Sequence, residues 1–145
     1  MRVLIQRVTR AVVRVAGESV GAIDAGLLAL VGVQPQDDAA TCRRMLDRLL
    51  DYRVFADEAG RMNRSLRETT GGLLLVSQFT LAADTRSGLR PGFSTAADPA
   101  LAELLFTELV ELARVAHPRV ASGRFGAHMQ VELVNDGPVT LMLEM

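Results

Sequence analysis

The chain has 145 residues, a single cysteine, and 16 basic against 17 acidic residues, which give a formal net charge of −1. This length predicts one domain over residues 1–145, and the near-neutral charge argues against a general nucleic-acid coat protein, which is usually strongly basic. One cysteine excludes an intramolecular disulfide framework, and the lack of a long apolar run or signal-peptide core predicts a cytoplasmic protein with no membrane partner.

Four strands are predicted in the first third of the chain from the pattern of apolar residues. They are Val3 to Val8, Ala11 to Ala16, Val20 to Ile23, and the apolar run LLALVGV that follows Gly26. The uninterrupted run is typical of a strand that is buried on both faces, whereas alternation is typical of a half-buried strand.

Two helices are predicted from apolar residues at three- and four-residue spacing. The first opens at residues 37–38 and places Cys42 on its apolar face, where a core thiol is favoured over a nucleophile. The second begins at Asp98 and Pro99, a good N-cap and first-turn pair, and it ends before Pro118.

The remaining segments predict further strands, separated by loops. They are a strand from Tyr52 to Ala56, an irregular connection from Arg61 to Thr70, a strong strand LLLVSQFTLAAD after Gly72, a loop from Thr85 to Ala97, a strand from Phe125 to Asn135, a break at Asp136 to Pro138, and a last strand from Val139 to Glu144. Strands that come in pairs favour an α+β fold, with a β-barrel-like, largely antiparallel or mixed sheet and two main helices on one side.

Reactive groups of the usual kinds are scarce in this sequence. The two histidines, His117 and His128, lie far apart and lack metal-ligand spacing, the chain has no lysine, and no GxSxG sequence is present. We therefore predict no metal site and no cofactor.

Two polar segments stand out against this background. The segment SQFT, residues 77–80, follows a strong apolar run, where its side chains either satisfy hydrogen bonds at a sheet edge or present a site. The segment NDGPVT, residues 135–140, is either a hairpin turn or a loop in which a cis Gly137–Pro138 bond presents backbone carbonyls to an ammonium group.

Together and in this order, SQFTL and NDGPVT resemble the two signature motifs of the bacterial D-aminoacyl-tRNA deacylase family. The resemblance covers essentially the whole chain, and further segments carry it. They are MRVLIQRVTRA, GLLALVGV, RMNRSL, DTRSG, the pair Phe93-Ser94, and GRFGAHMQVELVNDGPVTL. Three departures from the family pattern, Ala82, Leu89 and Gly92, lie beside the motifs and bear on contacts with tRNA rather than on the reaction.

The resemblance implies an enzyme that hydrolyses the ester between a D-amino acid, or glycine, and the 3′-terminal adenosine of tRNA, with no DNA partner. It implies the fold of that family and a homodimer, in which the cis Gly137–Pro138 motif of one subunit enters the active site of the other. The carbonyls of Gly137 and Pro138 would hold the substrate α-amino group. An L side chain would then collide with the motif, while a D side chain would point to solvent.

Individual roles follow from the same resemblance. Ser77, Gln78 and Thr80 would line the scissile ester, and Phe79 would flank the terminal adenine or ribose. Arg7 would orient the Gly-Pro motif, with an ordinary strand arginine as the alternative. The other assignments are Phe125 and Met129 in the pocket, or in the core, and Asn135, Val139 and Thr140 as support for the motif.

The resemblance leaves two hypotheses for the catalytic base. In the first, the 2′-hydroxyl of the terminal ribose helps to activate a water, and the protein contributes positioning and electrostatics. In the second, Thr80 is a covalent nucleophile, which requires a nearby base. We favour the first hypothesis because the sequence offers no histidine or carboxylate poised for that task.

Overall fold

The computed structural model describes residues 1–86 and 88–145, so Ser87, within the predicted loop and the DTRSG segment, lies outside the described residues. The elements are β1 (Arg2–Val15), β2 (Glu18–Ile23), β3 (Gly26–Gly32), α1 (Ala39–Asp51), β4 (Phe55–Ala56), β5 (Met62–Arg64), α2 (Leu66–Thr69), β6 (Gly72–Ser77), a 3₁₀ helix (Phe79–Ala82), α3 (Pro99–Ala116), β7 (Val120–Ser122) and β8 (Gln130–Glu144). This is the predicted α+β class.

Strand β1 is the centre of a six-stranded mixed sheet. One edge of β1 pairs antiparallel with β3 along residues 2–8 and with β2 along residues 11–15, and the other edge pairs antiparallel with β8. Strand β6 pairs parallel with both β3 and β7. Because β7 also contacts β2, the strands β1, β3, β6, β7 and β2 curve into a nearly closed barrel.

The seam between β2 and β7 depends on a residue without a side chain. A Cβ atom on Gly21 would collide with the backbone carbonyl oxygen of Ser122 in β7. Any larger residue at this position would push the two strands apart, so Gly21 lets the barrel approach closure.

Two apolar cores lie on opposite faces of the central strands, because successive side chains of a strand point to opposite faces. Leu27 and Leu73 belong to the first core, which also takes the buried faces of α1 and α3. Leu28 and Leu74 belong to the second core, which is formed by strand residues inside the barrel. The prediction that LLALVGV is buried on both faces is therefore confirmed.

Helices α1 and α3 lie together on the first core, as predicted. Asp38 caps α1 by accepting a hydrogen bond from the Thr41 amide at 2.8 Å, and Asp98 caps α3.

Cys42, on the buried face of α1, is fully buried, and its Sγ lies 3.4 Å from the carbonyl oxygen of Leu105. Burial raises the pKa of the Cys42 thiol to about 11, which suits a core cysteine rather than a nucleophile.

None of the described helices has the length and apolar character of a membrane-spanning helix.

The prediction that LLLVSQFTLAAD forms one strand is wrong beyond Ser77. Strand β6 ends there, because β3 pairs with it only as far as Val31 and β7 only as far as Ser122. Without neighbouring strands the chain makes its own hydrogen bonds, and Leu81 N donates to Gln78 O at 3.2 Å in the 3₁₀ helix.

Other boundaries also differ from the prediction. Strand β1 is continuous because β8 pairs with it on both sides of an irregularity near Thr9. The connection over residues 61–70 contains β5 and α2, and α2 begins with a capping box between Ser65 and Glu68. Strand β7 was not predicted, since three residues are too few to show a periodicity, and β8 begins at Gln130.

Candidate active site

An apolar cavity of about 260 Å³ opens beside the carboxyl end of β6. Ser77 and Phe79 line one side of it, and Phe125, from the segment before β8, lines another. The other lining residues are Val31, Val33, Ala97, Pro99, Ala102, Phe106 and Gly126. Ligand pockets usually measure roughly 300–1,000 Å³, so this cavity suits a single ring system.

The segment SQFT turns beside this cavity, and the end of β3 fixes the turn. Gln78 N donates to Val31 O at 2.7 Å, and Gln78 Nε2 donates to the hydroxyl of Thr80 at 2.5 Å. Phe79 and Thr80 are exposed. Their amides precede the first hydrogen bond of the 3₁₀ helix, which Leu81 donates. The turn thus presents a hydroxyl, an aromatic ring and two backbone amides next to the cavity.

A protrusion interrupts the pairing of β8 with β1. Gln6 is in register with Thr140, and Val8 is in register with Asn135. Four residues of β8, here called the protruding loop (residues 136–139), therefore stand opposite a single residue of β1. The predicted break at Asp136 to Pro138 does not end the strand; the chain bulges outward and then rejoins the ladder.

Arg7 is the single β1 residue opposite the protruding loop, and it holds the loop in place. Its Nε donates to the carbonyl oxygen of Asp136 at 3.2 Å and lies 3.1 Å from the carboxylate of the same residue. Its Nη1 donates to Val54 O at 2.6 Å. A Cβ atom on Gly137 would meet Arg7 Nη2 at 3.0 Å and Val139 Cγ2 at 2.9 Å, so the guanidinium packs closely against the loop.

The protruding loop has a backbone that requires glycine. Gly137 has φ of +125°, and the peptide bond between Gly137 and Pro138 is cis. Both residues are exposed. At the base of the loop, Asn135 Nδ2 donates to Thr140 Oγ1 at 2.8 Å, and Gln6 Nε2 lies 3.4 Å from the same oxygen. Asn135 Oδ1 is buried and has no hydrogen-bond partner among the described residues.

Within one chain, the protruding loop lies away from the cavity. Ser77 is in register with Val31, and Val31 with Val3. Arg7 lies four residues further along β1, which is roughly 13 Å at 3.3 Å per residue. No hydrogen bond or ion pair among the described residues joins residues 77–80 to the loop. The site residues of one chain therefore form two separate groups, which the sequence analysis expects to meet only across two subunits.

Met129 and the histidines lie outside both groups. Met129 packs against the second core and does not line the cavity. His117 is buried, with Nε2 2.6 Å from the carbonyl oxygen of Gly71, and His128 is exposed. In residues 1–86 and 88–145, no cluster of three or more His, Cys, Asp and Glu side chains is arranged to hold a metal ion.

Two contributors to these groups carry no signal that sequence reasoning could use. Val54 supports Arg7 through a backbone carbonyl, which every residue type possesses. Phe106 lines the cavity and lies 6.1 Å from Phe125 between ring centroids. It belongs to the apolar stripe of α3, and such a stripe does not distinguish a cavity wall from ordinary core.

Comparison with known proteins gives concordant matches over the whole chain. Residues 4–144 match the family model described as D-Tyr-tRNA(Tyr) deacylase. Proteins named D-aminoacyl-tRNA deacylase from Ectopseudomonas mendocina (strain ymp) and Azotobacter vinelandii (strain DJ / ATCC BAA-1303) are 69% and 70% identical over 144 residues, covering 99% of each chain.

Two solved structures share the fold. A c-Myc DNA Unwinding Element Binding Protein has a TM-score of 0.95 at 38% identity, covering 100% of this chain and 99% of the other. A probable eukaryotic D-amino acid tRNA deacylase has a TM-score of 0.87 at 18% identity, covering 99% of this chain and 98% of the other.

Proposed function

The chain belongs to the D-Tyr-tRNA(Tyr) deacylase family, and on that basis we propose that it releases D-amino acids, and glycine mischarged on tRNA, by hydrolysis of the aminoacyl-tRNA ester. Its relatives are named as deacylases, so it is a hydrolase acting on a carboxylic ester. The observation that carries the proposal is the ring-sized apolar cavity with the polar SQFT turn beside it.

The cavity is the proposed site of the 3′-terminal adenosine. Phe79 and Phe125 supply aromatic surface to its lining, and unpaired bases bind proteins by stacking on such surfaces. Ser77 also lines the cavity, and Gln78 and Thr80 follow directly, so a base inside it would bring the ribose and the ester to these polar groups. The apolar lining suits a base and does not suit a phosphate.

The proposed partner is the end of an RNA rather than duplex DNA. One structural neighbour is described as a DNA-element-binding protein. This chain has a formal net charge of −1, whereas binding to duplex DNA depends on many cationic contacts with phosphates. Binding to the end of one RNA strand needs no such excess of positive charge. Aminoacyl-tRNA is made in the cytoplasm, and we place the protein there.

The protein contributes positioning, and the substrate contributes the base, in the mechanism we propose. The only hydrogen-bond partner of the Thr80 hydroxyl among the described residues is the Gln78 amide, and an amide cannot take up a proton as a general base. The 2′-hydroxyl of the terminal ribose would therefore assist a water in attacking the ester. The amides of Phe79 and Thr80 would stabilise the oxyanion that forms.

This mechanism is tested with a substrate that lacks the 2′-hydroxyl. A 2′-deoxyadenosine end should slow hydrolysis by about 100-fold, in the range of a lost general base. Thr80→Ala should slow the reaction without removing any covalent intermediate. An aminoacyl ester trapped on Thr80 and identified by mass spectrometry would instead establish the covalent mechanism.

Chiral selection is assigned to the protruding loop. The carbonyls of Gly137 and Pro138 would accept hydrogen bonds from the substrate ammonium. With the amine and the ester both fixed, an L side chain would point into the loop and a D side chain would point away from it. Rejection is strong because relief of the clash breaks the hydrogen bonds to the amine. Glycine has no side chain to reject, so the same filter accepts it.

The loop that serves a given cavity is proposed to come from a second copy of the chain. Two observations support this proposal. The loop lies roughly 13 Å along β1 from the SQFT end of its own chain. In addition, β8 pairs with β1 alone among the described strands and exposes Val134, Leu141, Met142 and the adjacent Met145. A long apolar edge strand usually requires a cover.

The proposed function is tested by measuring the deacylation of three substrates with one enzyme preparation. They are D-aminoacyl-tRNA, L-aminoacyl-tRNA with the same side chain, and glycyl-tRNA. Catalytic loss of the D and glycine esters, with the L ester intact, is the expected result. Loss of all three would leave an esterase without the filter. Stable binding of tRNA without any turnover would establish a binding protein instead.

Mixing two impaired variants tests the arrangement across subunits. Thr80→Ala impairs the SQFT turn, and Gly137→Ala impairs the loop. In a heterodimer of these variants, one of the two sites combines an intact turn with an intact loop from the partner. Refolding the two together should restore about a quarter of the wild-type activity, given random pairing of protomers. No recovery would place both elements of a site in the same chain.

A further inference from the structure

Two exposed aromatic rings lie side by side next to the cavity. The ring centroids of Phe79 and Phe93 are 5.0 Å apart, and the rings are inclined by 53°. Phe79 is 56% exposed and Phe93 is 42% exposed. Large aromatic side chains are usually buried to a high degree. An exposed pair beside a cavity therefore indicates a surface that a ligand covers.

An isolated antiparallel β-bridge between Asp84 and Gly92 fixes the position of Phe93. Asp84 N donates to Gly92 O at 2.7 Å, and Gly92 N donates to Asp84 O at 2.9 Å. This bridge brings Phe93 next to the 3₁₀ helix that carries Phe79. Beyond the ring, Ala96 N donates to Phe93 O at 3.0 Å. The backbone on both sides therefore holds the aromatic pair together.

We propose that the Phe79–Phe93 pair is a stacking platform for the base of the nucleotide that precedes the terminal adenosine. This inference rests on the proposed function, because it takes the adenosine to lie in the cavity. Phe79 both lines the cavity and contacts Phe93, so a base adjoining the adenosine reaches the pair. Stacking on aromatic rings is how proteins bind successive bases of a single strand. In tRNA that nucleotide is a cytidine whatever the amino acid, so one platform serves every substrate.

Stacking rather than the charge of Arg86 is the attraction that we assign to this platform. Arg86 lies on the same segment as Phe93, but its Nε and Nη2 donate to the carboxylate of Asp84 at 2.9 and 2.7 Å. These hydrogen bonds hold the pKa of Asp84 well below its usual range. The two charges therefore compensate each other at neutral pH. The contribution of the platform should change little with salt, unlike that of a phosphate contact.

Three minimal substrates that carry the same D-amino acid test this inference. They are the aminoacyl ester of adenosine, the ester of the dinucleotide cytidylyl-adenosine, and the ester of the same dinucleotide without its cytosine base. The wild-type enzyme should cleave the full dinucleotide with a kcat/KM roughly 5- to 100-fold above that for adenosine, the range for one stacked base. The abasic dinucleotide should behave like adenosine.

Phe93 variants identify the platform. Phe93→Ala should abolish the advantage of the dinucleotide and leave cleavage of the adenosine ester within about twofold of wild type, while Phe93→Trp should keep the advantage. Retained cleavage of the adenosine ester shows that the variant is folded. Leu104→Ala, at an exposed residue of α3 outside the cavity lining, is the control and should change neither rate.

The possible failures are distinguishable. Equal cleavage of all three esters by the wild type would overturn the platform and leave the deacylase intact. A Phe93→Ala variant that loses both reactions equally would show that Phe93 only supports the cavity. A wild-type enzyme that cleaves none of the esters and no D-aminoacyl-tRNA would overturn the proposed function, and the platform with it.

Discussion

The Nδ2 atom of Asn135 donates a hydrogen bond to the hydroxyl of Thr140 at 2.8 Å, across the base of the protruding loop. The two residues lie on either side of the loop, so this bond closes its ends while Arg7 binds its first residue, Asp136. The backbone of Gly137 and Pro138 is thus held before any substrate arrives. Groups positioned in advance spend less binding free energy on ordering.

Gly137→Ala should reduce kcat/KM for D-aminoacyl-tRNA by roughly 10- to 100-fold, the usual cost of a small displacement in a site. The added Cβ would meet Arg7 Nη2 at 3.0 Å, and φ of +125° is unsuitable for an L residue. The loop must therefore move. Single-turnover deacylation assays provide the measurement.

Gly60→Ala is the matched control for that substitution. Gly60 also has a positive φ, +77°, but a Cβ there would meet no atom within 4 Å. Both variants should lose about 1–3 kcal/mol of unfolding free energy to backbone strain, and only Gly137→Ala should lose activity. Equal losses of activity would mean that stability, rather than the loop, controls the rate.

Arg7→Lys should lower kcat/KM for the D substrate by roughly tenfold and weaken discrimination against the L substrate. Arginine donates both to Asp136 O and to Val54 O, and a lysine ammonium cannot reproduce this two-branched geometry. Loss of one charged hydrogen bond accounts for that magnitude.

Arg14→Lys offers the comparison for Arg7, because Arg14 lies on the same strand and pairs through Nε with Glu132 at 2.7 Å. Its activity should match that of wild type, since it contacts neither group of site residues. If Arg7→Lys discriminated between D- and L-aminoacyl-tRNA as well as the wild type does, Arg7 would have no role beyond that of an ordinary strand arginine.

Ala97→Leu should raise KM for aminoacyl-tRNA by roughly 5- to 100-fold, the range for loss of one stacked base. Ala97 lines the cavity, so a larger side chain there would occupy the space assigned to adenine. Ala100→Leu changes an exposed neighbouring residue outside the lining and should leave KM unaltered. An unaltered KM in Ala97→Leu would place the adenosine elsewhere. Steady-state kinetics measures the KM of both variants for aminoacyl-tRNA.

Met142→Glu should convert the proposed dimer to monomers and abolish deacylation, because it places a charge in the apolar edge proposed to meet the second copy. Val115→Glu introduces the same charge on α3 at a residue that is 90% exposed, and it should remain dimeric and active. Light scattering after size-exclusion chromatography measures the mass. An active monomer would exclude a loop supplied by a partner.

The stability of the protein should fall as pH rises from about 9 to 11, in part through Cys42. Burial raises the pKa of this thiol from 9.0 to about 11, so the unfolded chain ionises in this interval while the folded chain keeps its proton. Urea denaturation of wild type and Cys42→Ala at pH 7, 9 and 10.5 should show a shallower alkaline decline in the variant. Parallel declines would contradict the assignment.

Sequence reasoning succeeds where the type of a residue carries the information. The SQFT and NDGPVT segments are recognisable because polar residues follow an apolar strand and a Gly-Pro pair lies between apolar runs. It fails where the strands that pair with a segment determine its structure. Strand β6 ends at Ser77 because the pairing with its partner strands ends there. Distance along the sheet also lies outside what the sequence shows. Nothing in the order of the residues shows that Arg7 and Ser77 lie at different positions on the barrel.

The protruding loop also changes which core β8 serves. Leu143 belongs to the first core, and Val139 packs against it, whereas Val131 and Leu133 pack against the second. These four residues are all odd-numbered, so an uninterrupted strand would present them to one face. The register places three more residues on β8 than on β1 between the flanking pairs, an odd number that reverses the alternation. If the loop were one residue longer or shorter, the side chains of β8 on one side of the loop would point to the opposite face of the sheet. Only insertions or deletions of an even number of residues would therefore leave both cores intact.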